Sequence, residues 1–150
     1  MEYVAHVLNP DLGPVVEITI GLSFAEEEVR RAAGTETSPR RSIFALIDPG
    51  LGTTVISEKI RAEFDPGGYE LRPEFLPWAG TALRVGTSLY IGAPELLPDL
   101  LERNIRVVVV PLPDTVQCIL GRNFLVGIEF VYEGALESFG WRVSPFWESS

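Results

Sequence analysis

Between Arg41 and Ser57 the chain reads Arg-Ser-Ile-Phe-Ala-Leu-Ile-Asp-Pro-Gly-Leu-Gly-Thr-Thr-Val-Ile-Ser, and no other stretch constrains the fold as much. Ile43–Ile47 is an apolar run of strand length with β-branched residues, which predicts a fully buried strand. It stops at Asp48-Pro49-Gly50, a sharp turn that leaves a carboxylate at the strand tip. Thr54-Val55-Ile56 then resumes strand character, and Ser57 opens a short helix. An acid on a loop between two buried strands costs desolvation unless it is hydrogen-bonded or used. Asp48 is therefore the leading functional candidate. A plainer reading also exists, in which its carboxylate caps nearby amides of the turn.

A second stretch, Cys118-Ile119-Leu120-Gly121-Arg122-Asn123-Phe124-Leu125, bears on that choice. Together the two stretches resemble the retropepsin-like (retroviral-type) aspartic peptidases. Their active-site loop is two apolar residues, Asp-Thr/Ser-Gly, a small residue and more apolar ones. A later apolar-apolar-Gly-Arg-Asn/Asp-apolar-Leu signature follows it. Two motifs in the right order are more specific than either alone, and the resemblance covers Pro14 to about Val143.

The resemblance implies an all-β fold, an acid-protease-like closed barrel with a few short helices, and aspartic-type endopeptidase activity. Asp48 is then catalytic, Pro49, Gly50, Leu51 and Gly52 form the substrate-binding loop, and Ile119, Leu120, Gly121 and Arg122 form the motif packed beneath it. Hydrolysis by aspartates needs two carboxylates sharing one proton, so that one activates water while the other polarises the carbonyl. This chain has one such loop. A homodimer whose two-fold axis passes between identical loops supplies the second Asp48. The expected partners are a second copy and a peptide or protein substrate, with no cofactor and no metal. Gly50 allows the backbone to approach the substrate.

Two positions depart from the family pattern. Pro49 stands where the family has Thr or Ser, whose hydroxyl and amide hydrogen-bond across the two-fold axis; proline has neither donor. Gly52 stands where retroviral members place an acid that pairs with the motif's arginine, so Arg122 must find another partner or point to solvent. The alternative to a peptidase is a degenerate member, weak or inactive, that keeps the barrel for peptide binding or assembly.

Along the rest of the chain, the length of 150 residues suits one domain, with residues 1–13 as an N-terminal extension and 24–40 as a helical insertion. Tyr3–Leu8 reads as a first strand. Val16, Ile18, Ile20 and Leu22 alternate with less apolar residues, the pattern of a half-buried strand. Ser23-Phe24-Ala25-Glu26 is a capping box, followed by acids in the first turn, Arg30-Arg31 in the last, and Gly34 as the C′ residue; Phe24–Ala33 is the predicted helix. Glu58–Phe64 predicts a second helix, and Leu71–Ala79, rich in proline and aromatics, irregular chain. Leu83–Ile91 predicts one or two strands with a bulge or turn at Gly86, and Pro98–Arg103 a helical turn that Asn104 ends. Strands are expected at Ile105–Val110 and Gln117–Leu120, a helical turn at Arg122–Leu125, and a hairpin of Ile128–Glu133 and Phe139–Val143 across Gly134.

The net charge of −9 opposes nucleic acid or an anionic membrane as partner. The longest apolar run, around Val107–Val110, is too short to cross a bilayer. No basic region precedes an apolar stretch at the start, so no signal peptide is expected. The single cysteine excludes an internal disulfide and points to a reducing, cytoplasmic location. A second Asp-Pro-Gly, Asp65–Gly67, follows a helix instead of a buried strand and reads as a turn. His6 reads as a strand residue, Cys118 as a buried structural thiol, and Trp78, Trp141 and Trp147 as packing or interface residues, with Trp78 in a flap-like region.

Overall fold

The computed structural model describes residues 4–94 and 101–146. In chain order these form β1 (Val4–Val7), β2 (Val15–Leu22), α1 (Phe24–Ala32), β3 (Arg41–Ile47), β4 (Val55–Ser57), α2 (Glu58–Phe64), β5 (Glu70–Leu76) and β6 (Gly80–Ala93). Then follow β7 (Leu101–Val110), β8 (Cys118–Leu120), α3 (Arg122–Leu125), β9 (Ile128–Glu133), a 3-10 turn at Gly134–Leu136, and β10 (Ser138–Val143). The ring β2-β3-β8-β4-β7-β6 closes because β2 also pairs with β6. This is the expected all-β closed barrel with a few short helices. β5 adds to the outer edge of β6, and β1, β10 and β9 form a separate antiparallel sheet.

Ile18, Ile20 and Leu22 of β2, Ile43, Ala45 and Ile47 of β3, and Leu89 and Ile91 of β6 fill the barrel together with Phe124. Phe139 and Trp141 of β10 join that core, so the small sheet and the barrel share one apolar interior. A second cluster of Leu51, Val55, Leu76, Val108, Val110, Val116 and Ile119 lies on the other side of the β4–β7–β8 strands. Each fully buried aliphatic side chain contributes roughly 1.5–3 kcal/mol relative to exposure.

Local rules account for α1. The Ser23 hydroxyl accepts the Glu26 amide, and Asn104 of β7 accepts the Phe24 amide at 2.8 Å through its side-chain oxygen. At the other end the Gly34 amide donates to Arg31 and the Thr35 amide to Arg30, with Gly34 at φ +71°. That paired closure needs the left-handed conformation that glycine adopts without strain.

Four expectations are corrected. Ile43–Ile47, expected to be fully buried, lies in a strand buried on one face only: Ile43, Ala45 and Ile47 are in the core while Phe44 is exposed, because side chains of a strand alternate between its faces. Of Leu71–Ala79, expected to be irregular, residues 71–76 belong to strand β5, paired with β6 in the register Leu71↔Val85, Pro73↔Leu83, Phe75↔Thr81. Pro73 is tolerated because β5 is an edge strand, where a missing amide faces solvent. Gly86 is neither bulge nor turn: β6 runs through it as one strand, paired with Glu70 on one side and Val108 on the other. A Cβ at Gly86 would meet the Arg106 guanidinium at 2.5 Å, so the bare backbone is the corridor by which Arg106 reaches Glu70 and Glu74. Leu101–Arg103 are strand and not a helical turn, and Asn104 continues β7 opposite Tyr90. Pro98 lies outside the described residues, as do Tyr3 and Trp147.

Candidate active-site loop

Consecutive strands β3 and β4 are not neighbours in the sheet. β8 lies between them, parallel to β3 and antiparallel to β4. The chain from Asp48 to Thr54 must therefore arch over the end of β8, where Gly121 follows. Topology alone brings the two sequence motifs together.

Asp48 continues the line of β3, its amide donating to the Leu120 carbonyl at 3.0 Å. Its carbonyl accepts the Leu51 amide, closing the turn, and its Oδ1 accepts the Gly50 amide at 2.9 Å. The carboxylate thus caps its own turn and is half-buried, while Pro49 and Gly50 are exposed. A Cβ on Gly50 would sit 3.1 Å from that Oδ1, so glycine keeps the approach open.

Gly121 closes the loop from beneath. A Cβ there would meet the Leu51 carbonyl oxygen at 2.8 Å and the Thr53 carbonyl carbon at 2.9 Å. Its φ of −96° suits any residue, so packing and not conformation demands glycine. Around it the Arg122 amide donates to Leu51 O at 2.7 Å and the Asn123 amide to Gly52 O at 3.3 Å. Ile119 and Leu120 alternate in the strand manner: Ile119 faces the cluster with Leu51, and Leu120 faces the barrel core.

Two residues to which no role was given from sequence, Thr54 and Asn123, tie this loop to the barrel. Asn123 Oδ1 accepts both the Thr54 amide and the Thr54 hydroxyl, each at 2.8 Å, while Asn123 Nδ2 donates to Arg106 O at 2.7 Å. The Thr54 oxygen in turn accepts the Gly121 amide at 3.0 Å. The pair is joined by neutral hydrogen bonds that satisfy the buried Thr54 hydroxyl both as donor and as acceptor. The available signal was Thr54 itself: a hydroxyl inside a buried strand needs a partner.

Arg122 reaches neither a carboxylate nor open solvent alone. Its Nη1 donates to the Pro49 carbonyl at 3.0 Å. The segment above this loop is the β5–β6 hairpin, whose tip carries Trp78, half exposed, while Leu76 enters the cluster with Leu51 and Val108.

The other candidates lie elsewhere. His6 is in β1, its ring stacked on Phe139 at 5.1 Å. Cys118 is fully buried in β8, and burial pushes its thiol up to about 12. Among the described residues no three His, Cys, Asp or Glu side chains converge as a metal site, and no helix is long and apolar enough to cross a membrane.

No protein-family model matches the chain, and no curated protein matches it. Among solved structures the chain is similar to a retropepsin-like aspartic protease from Rickettsia conorii, with 12% identity and a TM-score of 0.46. The match covers 94% of this chain and 95% of that one.

Proposed function

We propose that the protein is an aspartic-type endopeptidase that works as a homodimer, with one Asp48 from each copy sharing a proton and activating a water for peptide hydrolysis. The observation that carries this reading is the setting of Asp48. A carboxylate stands at the end of β3, a strand buried on one face, on a turn whose outer residues are exposed and whose inner side is packed on Gly121. Such a turn fixes a carboxylate while leaving it accessible to a second copy and to substrate. The β5–β6 hairpin is the segment that would cover a peptide bound at the loop.

A second reading rests on Pro49. It offers neither an amide nor a hydroxyl to a partner loop, and the Gly50 amide already occupies one Asp48 oxygen. In that reading the chain binds peptide or assembles without hydrolysing.

Assay on a peptide library at about pH 5, with Asp48→Asn as control, separates the two. The peptidase reading expects turnover that Asp48→Asn abolishes and a bell-shaped pH profile on the acidic side of neutrality. Sedimentation over a wide concentration range accompanies it. A chain that stays monomeric when concentrated cannot bring two Asp48 carboxylates together.

A further inference from the structure

We infer that Arg122 is a positioning residue for Asp48: it anchors the Pro49 carbonyl, so that the Asp48 turn is held from within its own protomer. The inference rests on the peptidase reading for its catalytic consequence, and on geometry alone for its structural part.

Pro49 contributes no backbone donor, so its carbonyl is the only hydrogen-bonding group by which that residue can be gripped. That carbonyl accepts from Arg122 Nη1 at 3.0 Å. The guanidinium lies close beside Gly52, where a Cβ would stand 3.3 Å from Arg122 Nη2. Arg122 itself is well anchored, since its own amide donates to Leu51 O at 2.7 Å. One residue thus grips the loop twice, by main chain at Leu51 and by side chain at Pro49. Among the described residues Arg122 has no carboxylate partner that would compete for the guanidinium. A charged donor on a neutral carbonyl makes a stronger bond than a neutral one. The consequence is a turn already ordered in the monomer, with the Asp48 Oδ1–Gly50 amide and Leu51 amide–Asp48 carbonyl bonds held in register.

The test compares the wild-type chain with Arg122→Met and Arg122→Lys. Amide exchange is read at Leu51 and, as a control, at Ile18 in the barrel, alongside kcat and KM on a peptide cleaved by the wild type. Arg122→Met is expected to speed exchange at Leu51 by about threefold to tenfold, the loss of one exposed charged bond, with Ile18 unchanged. Arg122→Lys should recover part of the protection. In the active protein kcat should fall by a similar factor with KM little changed, because positioning acts on the reacting carboxylate and not on binding. Unchanged exchange at Leu51 overturns the inference, as does equal acceleration at Leu51 and Ile18, which would mean global destabilisation. If the wild type proves inactive, the peptidase reading fails, and the exchange data still decide whether Arg122 holds the turn.

Discussion

The chain contains the tripeptide Asp-Pro-Gly twice, and the two copies do different things. Asp48 extends β3, a strand buried on one face; its amide pairs with Leu120, and its carboxylate is turned back only onto the Gly50 amide. Asp65 ends α2 in the left-handed conformation, φ +42°, with its amide on the Arg61 carbonyl. Its own carbonyl accepts from Arg30 of α1, and its Oδ1 accepts the Tyr69 hydroxyl at 2.8 Å. The prolines are reversed as well: Pro66 is buried and Pro49 exposed. The second copy is a helix stop, fully engaged by its neighbours. The first leaves its carboxylate poised at an accessible turn that Gly121 supports from below. Identical local chemistry thus acquires its role from what the flanking strand or helix presents to it.

The largest difference should appear in turnover. Asp48→Asn is expected to lower peptidase activity by about 10²–10⁴-fold or more, the usual worth of an acid–base group, while Asp65→Asn leaves it unchanged. Asn is also at home in the left-handed conformation of residue 65. Equal activity in the two variants would erase the distinction between the loops.

Next comes the support under each turn. Gly121→Ala drives a Cβ into backbone atoms at 2.8–2.9 Å and should cost about 1–3 kcal/mol. In a chain of this size that lowers Tm by roughly 2–4 °C per kcal/mol. Gly67→Ala meets only the end of the Glu26 side chain, at 3.0 Å, and should stay within about 0.5 kcal/mol. Thermal unfolding of both variants decides whether only one loop is built on a backbone contact.

The prolines give a smaller contrast. Pro49→Thr adds a hydroxyl and an amide to an exposed turn, two potential bonds to a partner loop. At roughly 1 kcal/mol each these imply about ten- to thirty-fold tighter dimerisation, against an unfolded-state entropy loss of about 0.4–1 kcal/mol. Pro66→Thr, buried beside α1, should leave association unchanged and lower stability instead. Unchanged dimerisation in Pro49→Thr would show a loop that does not meet its copy at residue 49.

The smallest effect is in alkaline titration. Tyr69 titrates above its ordinary 10.0, first because of burial and then because its hydroxyl is hydrogen-bonded to Asp65. Its folded pKa exceeds the unfolded one, so the stability it contributes is present below pH 10.0 and lost as pH rises through the folded value. Asp65→Asn should bring phenolate formation, followed by ultraviolet absorbance, part of the way back toward 10.0. A return of the whole shift would mean that burial is not the first cause.

What the sequence determined by itself is what near neighbours decide. The apolar run of β3 ends at an acid and a turn, so the strand and the place of Asp48 at its tip were both legible, while the exposure of Phe44 on one face of that strand was not. Ser23 and Gly34 specify α1 because a cap is satisfied within a few residues, whereas the Glu26 carboxylate pairs with Arg30 and not with the cap. The Cys118–Leu125 motif pointed to Gly121 through its resemblance to a family. Leu71–Ala79 read as irregular because proline opposes a strand unless the strand is at an edge, and edges exist only once the sheet is assembled. Gly86 read as a break because its corridor serves Arg106, twenty residues away, reaching toward β5. The lock of Thr54 on Asn123, and the arrival of Arg122 at Pro49, wait on β8 inserting between β3 and β4. Those hydrogen bonds join residues about seventy positions apart, and only the folded topology brings such groups within bonding distance.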